Sequence, residues 1–353
     1  MNKKKLHSDA AASPLVNSGT RSIEPTAAAG HDIIVVGASL GGVAAMCRLV
    51  AALPANFPAA VFVVIHIPGY AASRLPALLT RSGKLPAVHP LHGQPVQPGH
   101  IYVAPPDNHL ILHDDVIRVE RGPTENGHRP AIDVLFRTAA RTWGARTIGV
   151  ILTGSMDCGV GGLLAVKAAG GITIAQDPAE AECGELPSNA INRVGVDYIA
   201  RVDAIAALLV RLVHEPAADR ASAVYDLDAE QAQSTKPSEV VCPHCSGVMT
   251  QSDTGAVSQF RCHVGHIFSI NSLIHYQSEA LESALWTAVR ALQESEDLAR
   301  RMVLRSPDSL AERFAEKANA MRRHADTIQH ILLSRETLTT PDAVIDNDED
   351  AMS

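Results

Sequence analysis

The sequence lacks any apolar run of the roughly 20 residues that a membrane-spanning helix needs. Positive charge is also scarce, since 30 lysine and arginine residues against 38 aspartate and glutamate residues give a formal net charge of −8. The sequence contains no basic stripe of the kind that binds nucleic acid. The basic start, Met1 to Lys5, is followed by no apolar core, so we expect no secretory signal. These absences predict no membrane insertion and no nucleic-acid partner.

Cysteine is sparse as well, with six residues in 353. Only three of them, Cys242, Cys245 and Cys262, lie close together in the sequence. One cluster among scattered cysteines favours a reducing compartment and a metal site over a disulfide framework. We therefore expect a cytoplasmic protein.

What is present from residue 31 onward is an alternation of short apolar runs and helical patterns, which is typical of a parallel α/β sheet. The apolar runs predict strands at 33–36, 60–65, 101–104, 110–112, 116–119, 147–152, 172–175 and 198–200. The helical patterns fall at 43–53, 74–80, 132–142, 161–169 and 205–212. The turn residues Asp114 and Asp115 predict a hairpin between two of the strands.

Composition divides the chain into six segments. They are a tail at 1–30, an α/β domain at 31–215, a polar linker at 216–239, a cysteine–histidine segment at 240–270, a helical region at 271–337 and an acidic tail at 338–353. The linker is rich in alanine and serine and contains Pro216 and Pro237. The length and an apolar content of 46% are sufficient for two domains.

A glycine-flanked serine follows the first predicted strand. Residues 37–41 match the Gly-x-Ser-x-Gly nucleophile elbow, in which a strand ends, the chain turns sharply and a helix begins. Such a turn exposes the hydroxyl of Ser39 at the carboxyl edge of the sheet, and N–H groups at the helix start can hold a developing oxyanion. The alternative is a glycine-rich turn that cradles a phosphate, although the glycine spacing is not that of a dinucleotide-binding fingerprint.

Two further candidates follow other predicted strands: His66 ends the strand at 60–65, and Asp157 lies beyond the strand at 147–152. In doubly wound sheets the carboxyl ends of strands form the binding crevice, so these side chains can converge there with Ser39. His66 would then take the serine proton, and Asp157 would orient the imidazole. The alternatives are a core or edge histidine and an Asx turn. The chain order Ser, His, Asp differs from the Ser, Asp, His order of α/β-hydrolases.

These residues belong to a wider pattern that resembles the catalytic domain of CheB-type protein-glutamate methylesterases over residues 31–213. The resemblance is carried by ordered blocks at 37–42, 64–68, 98–106, 129–136, 149–154 and 175–177. It implies a doubly wound, mostly parallel Rossmann-like sheet, Ser39 as nucleophile and His66 as general base. It also implies that the substrate is a methylated chemoreceptor cytoplasmic domain and that catalysis uses no cofactor. Whether glutamine is also deamidated stays open.

The chain departs from the family's pattern in three places. Members that act in feedback carry an amino-terminal receiver domain, whereas only a short tail precedes the domain here, so we do not expect control by phosphorylation of this chain. The family's triad aspartate stands immediately before the glycine that matches Gly159, where this chain has Cys158, with Asp157 one residue earlier. A neutral thiol cannot stabilise an imidazolium, so Asp157 is the better candidate. Leu40 occupies a position where the family often has threonine.

The cysteine–histidine segment reads C-x2-C-x16-C-x3-H through Cys242, Cys245, Cys262 and His266. Two such knuckles can close a tetrahedron of protein ligands, which suits structural zinc. His244 and His263 are competing ligands, and the alternative is three free cysteines on a small sheet. The sequence after Cys262 resembles a zinc-ribbon-like extension found on some standalone CheB-like proteins.

An apolar stripe runs along the predicted helix after Ser272, which continues to about Arg335 with a break at Ser306-Pro307. Its members are Leu281, Ala284, Leu285, Ala288, Val289 and Leu292. The stripe fits either a helix that packs on its own domain or a helical hairpin that forms a homo-oligomer or docks a partner.

Two functions follow for the whole chain: an ester hydrolase using Ser39, His66 and Asp157, or a catalytically weakened CheB-like scaffold in a chemosensory-type pathway.

Overall fold

The computed structural model describes residues 30–66, 73–217, 236–254 and 257–334. Apart from Gly30, the tail predicted at 1–30 lies outside the described residues. Most of the predicted linker and the whole of the predicted tail at 338–353 lie outside them as well.

A seven-stranded sheet, counted over the described residues, forms the first domain in the order β10-β9-β8-β1-β2-β5-β3, and its paired strands are parallel. Its central strands are buried on both faces, which is why they read as continuous apolar runs. The strands of this domain are β1 Ile33–Ala38, β2 Ala60–Ile65, β3 Ala87–Val88, β4 Gln94–Pro95, β5 Ile101–Val103, β6 His109–His113, β7 Val116–Glu120, β8 Thr147–Ile151, β9 Ile172–Gln176 and β10 Tyr198–Ala200.

Six helices cover the two faces of this sheet within its described residues. They are α1 Gly42–Ala52, α2 Leu75–Ser82, α3 Ile132–Trp143, α4 Val160–Ala168, α5 Glu185–Val194 and α6 Val202–Leu212. Along β1, Ile34 and Val36 pack with α1, α2 and α6, whereas Ile33 and Val35 pack with α3, α4 and α5. This alternation follows from the two-residue period of a strand. The doubly wound α/β fold that the sequence predicts is confirmed.

The strand order reverses at β1, which lies between β2 and β8. Such a reversal opens a crevice outside the carboxyl ends of the strands. A separate antiparallel sheet, β4-β7-β6, packs beside α3. Its hairpin turns at Asp114, whose φ of 51° places it in the left-handed region, in agreement with the predicted turn.

A third sheet, also antiparallel, has the order β11-β12-β13-β14. Its strands are β11 Lys236–Val241, β12 Val248–Thr254, β13 Val257–Cys262 and β14 Ile267–Ser269. We call residues 236–269 the Cys/His module. It begins at Lys236, inside the segment predicted as linker, because β11 adds an edge strand of mostly exposed residues that carries no apolar signal.

Two long helices follow the module, α7 Ile270–Val303 and α8 Asp308–Leu333, and they pack along each other. The predicted break is confirmed, since Pro307 is the N-cap residue of α8. Small buried residues line much of the contact between the helices: Val289, Ala299, Ala318 and Ala325. No helix in the described part of the chain combines the length and apolar character needed to cross a membrane.

Helix α5 has no counterpart in the sequence prediction. Its first turns contain Pro187, Ser188 and Asn189, residues with low helix propensity or a strong preference for caps and turns. Its buried side chains, Leu186, Ala190 and Val194, nevertheless recur every four residues and pack into the core. Tertiary packing thus outweighs the local preference.

Candidate active site and cysteine–histidine cluster

Ser39 lies directly after β1, in the turn that leads into α1. Its backbone N–H donates to the carbonyl oxygen of Thr153, which follows β8, at 3.0 Å. Gly41 has a φ of +75°, and a Cβ there would come within 2.7 Å of the Glu182 side chain, so only glycine fits. Because α1 begins at Gly42, N–H groups of its first turn lie beside Ser39 without an acceptor inside the helix.

The imidazole of His66 reaches the serine from the neighbouring strand. Ala38 pairs with Ile65 in the parallel register of β1 and β2, so the residues that follow both strands emerge side by side. Nδ1 of His66 lies 3.1 Å from Oγ of Ser39. This distance is within the range of a nucleophile–base hydrogen bond. The structure therefore brings these two predicted residues together at the carboxyl edge of the sheet.

The surroundings of His66 favour a neutral imidazole. Burial, with a smaller contribution from the imidazole of His128, holds the pKa of His66 well below its ordinary value. The two rings stack with centroids 3.5 Å apart and planes inclined by 13°. Nε2 of His66 is buried and makes no hydrogen bond to any described residue. When Nδ1 accepts the serine proton, the other nitrogen therefore carries its hydrogen without an acceptor in this part of the chain.

Asp157 lies at the same edge, but its hydrogen bonds run elsewhere. Oδ2 accepts from the guanidinium of Arg193 on α5 at 2.8 Å, and Oδ1 accepts from the hydroxyl of Ser269 at 2.6 Å. Burial raises the pKa of Asp157, and the hydrogen bonds of Ser269 and Arg193 oppose that rise. No hydrogen bond joins Asp157 to His66 among the described residues. The role of Asp157 as the orienting acid stays a prediction without a contact that supports it.

Cys158 occupies the position at which the resemblance expects an aspartate, and it belongs to the core. Its side chain is 2% exposed and packs among residues of α3 and α4. Burial raises the pKa of its thiol well above the ordinary value, although backbone N–H groups of Ile132 and Asp133 point at the sulfur. The thiol therefore stays protonated near neutral pH and supplies no negative charge to the site.

His128 is the residue of this site that sequence reasoning missed. It is one of sixteen histidines, and it follows a turn at Asn126-Gly127 rather than a strand. Burial lowers its pKa to about 4, and His275 adds to the shift. The Asn-Gly pair signals a turn, but no sequence pattern indicates that this turn lies over His66.

A second cluster lies in the Cys/His module. The ligand atoms of Cys242, Cys245, Cys262 and His266 all lie within 4.8 Å of one another, so these four residues could hold a metal ion. Sγ of Cys245 and Sγ of Cys262 are 3.7 Å apart, far from the roughly 2.05 Å of a disulfide. Nδ1 of His266 lies 3.5 Å from Sγ of Cys262 and 3.7 Å from Sγ of Cys242.

The competing histidines lie outside this ligand group. His244 has its Nδ1 3.0 Å from the Thr124 hydroxyl, in the first domain. His263 packs against Gly247 and is not among the four converging residues. The expected choice of His266 therefore agrees with the geometry, while the identity of a bound ion stays a prediction.

Comparison with known proteins adds to this geometry. The CheB methylesterase family model matches residues 34–209. A relative from Leptospira interrogans is 35% identical over 183 residues, which make up 52% of this chain and 95% of that protein. The chain belongs to the CheB methylesterase family. The family resemblance inferred from the sequence blocks is thereby confirmed.

Other CheB relatives match the same part of the chain. The protein-glutamate methylesterase/protein-glutamine glutaminase 2 of Anaeromyxobacter dehalogenans is 37% identical over 185 residues, which are 52% of this chain and 54% of that protein. The crystal structure of the Thermotoga maritima CheB methylesterase catalytic domain matches with a TM-score of 0.50 at 32% identity, covering 51% of this chain and 98% of that one. This chain spans about half the length of the first curated relatives that it matches.

Proposed function

We propose that this chain hydrolyses methyl esters of glutamate side chains on the cytoplasmic domains of chemoreceptors, with Ser39 as nucleophile and His66 as base. The observation that carries the proposal is the 3.1 Å separation of Ser39 Oγ and His66 Nδ1 at the ends of adjacent strands. Family membership supports the reaction class, since the curated relatives are named protein-glutamate methylesterases.

The reaction follows from these positions. Ser39 Oγ attacks the ester carbonyl while Nδ1 of His66 takes the hydroxyl proton, and N–H groups at the start of α1 stabilise the oxyanion. The imidazolium then protonates the departing methoxide, which leaves as methanol. Water, deprotonated by His66, hydrolyses the acyl-enzyme to a free glutamate. A glutamine side chain would react in the same way with ammonia as leaving group, and the relatives' second name, protein-glutamine glutaminase, supports that activity.

Methanol release from a peptide bearing a glutamate γ-methyl ester tests the proposal. Ser39→Ala and His66→Ala should each lower kcat by roughly 10³-fold or more, because the nucleophile or its base is lost. The exposed residue His214, at the end of α6, offers a matched control, and His214→Ala should keep the activity of the parent chain. Equal turnover by the Ser39→Ala variant and the parent chain would refute the assignment.

A second candidate, a catalytically weakened CheB-like scaffold, is favoured by one observation. The imidazole of His66 has no carboxylate partner among the described residues, and Cys158 stands where the resemblance expects the aspartate. Labelling with a fluorophosphonate separates the two functions. An active hydrolase labels at Ser39, and the Ser39→Ala variant does not, whereas a scaffold labels in neither form.

We also propose that Cys242, Cys245, Cys262 and His266 hold one structural zinc ion. Zn–S bonds of about 2.3 Å in a tetrahedron place ligand atoms about 3.8 Å apart. The separations of 3.5 to 3.7 Å between neighbouring ligand atoms fit this geometry. Four protein ligands leave no position for a substrate, so the ion would be structural. A reducing compartment, which we take to be the cytoplasm, keeps the three thiols available as ligands.

Elemental analysis of the purified full chain should give about one zinc per chain, because a closed site of this kind binds tightly. Cys245→Ser should lower the content to well under half. The matched control is Cys47→Ser, since Cys47 lies on α1 and is not one of the four converging residues. Protein prepared without chelator and free of zinc would contradict the proposal.

We propose, finally, that the α7–α8 hairpin mediates association of two chains. Large apolar side chains remain exposed along both helices. A single exposed apolar side chain is common on protein surfaces, but a series of them along one hairpin favours an interface. They include Leu281 at 50%, Trp286 at 42%, Leu298 at 62%, Met302 at 40% and Leu310 at 40% exposure.

A further inference from the structure

The Cys/His module contacts the loop that precedes α3. The backbone N–H of Asn126 donates to the carbonyl oxygen of Ile267 at 2.7 Å, and the N–H of Ile267 donates to the carbonyl oxygen of Thr124 at 3.3 Å. The side-chain oxygen of Asn126 accepts from the N–H of Ser269 at 2.7 Å. The loop and β14 therefore pair over a few residues, much as neighbouring strands do.

Ser269 makes a second connection to the catalytic domain. Its hydroxyl donates to Oδ1 of Asp157 at 2.6 Å and accepts from the N–H of Ser272, so the same side chain also caps α7. Ser269, Asp157 and Asn126 are all buried, at 6%, 2% and 4% exposure. A buried hydroxyl that donates to a carboxylate makes a strong, geometrically specific hydrogen bond. We call the hydrogen bonds of Asn126, Ile267, Ser269 and Asp157 the docking contact.

The loop in the docking contact also carries His128. Asn126 and Gly127 have φ values of +51° and +75°, and a Cβ on Gly127 would lie 1.9 Å from the hydroxyl oxygen of Tyr276 on α7. The turn is closed by backbone hydrogen bonds between Glu125 and His128 of 3.0 and 3.1 Å. The turn thus bonds to Ile267 and Ser269 of the module, lies beside Tyr276 of α7, and places the His128 ring on the His66 ring.

We infer that the docking contact positions the catalytic imidazole, so that Asn126 and Ser269 are positioning residues for the esterase reaction, acting through the His128 ring that lies on His66. The inference rests on the proposed function. His66 needs such support because its Nε2 makes no hydrogen bond to a described residue, which leaves Ser39 and the stacked ring to fix its rotation. A small displacement of a catalytic group can lower the rate severalfold to a hundredfold.

Turnover of the full, metal-loaded chain on a glutamate γ-methyl ester peptide tests the inference. Ser269→Ala should lower kcat about tenfold and change KM less than about twofold, because orientation and not substrate binding is lost. Ser269→Thr keeps the hydroxyl and should restore most of kcat. Ser278→Ala is the matched control, since Ser278 lies on α7, which Ser269 caps, and its only side-chain hydrogen bond among the described residues is to the backbone of Ile274.

Ser269→Gly separates the docking contact from helix capping. Glycine is nearly as good an N-cap residue as serine, but it has no hydroxyl for Asp157. It should therefore lower kcat as much as Ser269→Ala does. This test applies when the parent chain is active and the Ser39→Ala variant is not. The inference would then be overturned if both Ser269 variants had a kcat equal to or higher than that of the parent chain.

Hydrogen exchange of backbone amides gives a readout that does not depend on activity. In Ser269→Ala, amides of residues 124–129 should exchange at least about tenfold faster, while those of β1 and β2 keep the parent rates. If the parent chain proves inactive, the proposed function fails, and exchange alone then decides whether the module holds this loop. Unchanged exchange at residues 124–129 would overturn the inference in either case.

Discussion

His66 is the residue whose surroundings determine the chemistry of the site. Its imidazole is largely buried, stacked on His128 and directed at Ser39. Burial and the His128 ring keep the imidazole neutral, while the stacked ring and the contact with Ser39 orient it. A neutral imidazole is the form that can accept a proton. Its lowered pKa means that acidification converts it to the inactive cation only well below pH 6.5.

We therefore expect kcat/KM for methyl-ester hydrolysis to stay level as the pH falls to 6.5 and to decline only at lower pH. His128→Gln removes a ring that lowers the pKa of His66, so the decline should move to higher pH in that variant. A pH–rate profile of both proteins measures the shift. A decline centred at or above pH 6.5 in the parent chain would contradict the lowered pKa.

Asp157 gives a second prediction at this scale. If it oriented His66, Asp157→Asn would reduce turnover by a factor of about 10⁴, as the corresponding change does in serine proteases. We expect less than about a tenfold reduction, because the asparagine oxygen still accepts from Ser269 and no contact with His66 is lost. Weakening the ion pair with Arg193 should lower the free energy of unfolding by about 1.5–3 kcal/mol.

Steady-state kinetics and urea unfolding of the Asp157→Asn variant measure the two effects separately. Cys158→Ser is a suitable comparison, since it changes the neighbouring residue and leaves the side-chain partners of Asp157 in place. A loss of turnover near 10⁴-fold, with stability unchanged, would restore Asp157 to the role that the sequence predicted for it.

Which residues could be predicted at this scale depended on local signals. Ser39 and His66 follow apolar runs, and the three cysteines have knuckle spacing, so the sequence alone is enough to name them as candidates. The partners of Asp157 have no such signal, because Ser269 lies 112 residues away in the chain. In the sequence, an aspartate that follows a strand has the same pattern around it whether its carboxylate orients a histidine or binds another domain.

At the scale of elements, periodicity predicted the buried strands and the long helices. It failed where a strand is mostly exposed or where polar residues interrupt the helical pattern. Strand β11 is mostly exposed, and α5 has a polar beginning, so neither has the pattern that marks its neighbours. The break between α7 and α8 was predictable because proline cannot continue a helix. These two helices pack on each other as a hairpin, and whether that hairpin joins two chains stays a proposal.

The exposed apolar side chains of that hairpin lead to a prediction about association. The full chain should sediment as a dimer with about twice the single-chain mass of 37.4 kDa. Burying these side chains between two hairpins removes apolar surface from water and so stabilises the dimer. Leu298→Glu should shift the equilibrium toward the single chain, whereas a glutamate at the exposed residue Leu91, in the first domain, should not. Sedimentation of the parent protein as a single chain at micromolar concentration would contradict the prediction.

At the scale of the whole molecule, the Cys/His module is small and has few apolar side chains of its own. Its core consists largely of the cysteines with Met249, Phe260 and Phe268, and Leu273 of α7 packs against them. In so small a unit, a bound metal ion would contribute much of the folding free energy. The parallel sheet, by contrast, has two extensive apolar cores and, among the described residues of its domain, no ligand cluster.

Removing the metal with a chelator should therefore unfold residues 236–269 while the parallel sheet stays folded. Losing the docking contact should also lower the unfolding temperature of the first domain by a few degrees, since roughly 1 kcal/mol corresponds to about 2–4 °C in a domain of this size. Calorimetry and hydrogen exchange with and without chelator, followed by readdition of zinc, measure both effects. Unchanged exchange in the module after chelation would contradict the prediction.

The docking contact can form only after the ribosome has added Ser269 to the growing chain. Ribosomes add roughly 5–20 residues each second, and domains fold as they emerge, amino-terminal first. Asp157 precedes Ser269 by 112 residues, so each copy spends roughly 5 to 20 seconds of its synthesis with Asp157 translated and its anchoring serine not yet added. The interval between the synthesis of Asn126, in the loop that carries His128, and that of Ser269 is longer still, since Asn126 precedes Ser269 by 143 residues. In a nascent chain, the proposed nucleophile Ser39 is therefore present well before the segment that we propose holds His66 in place.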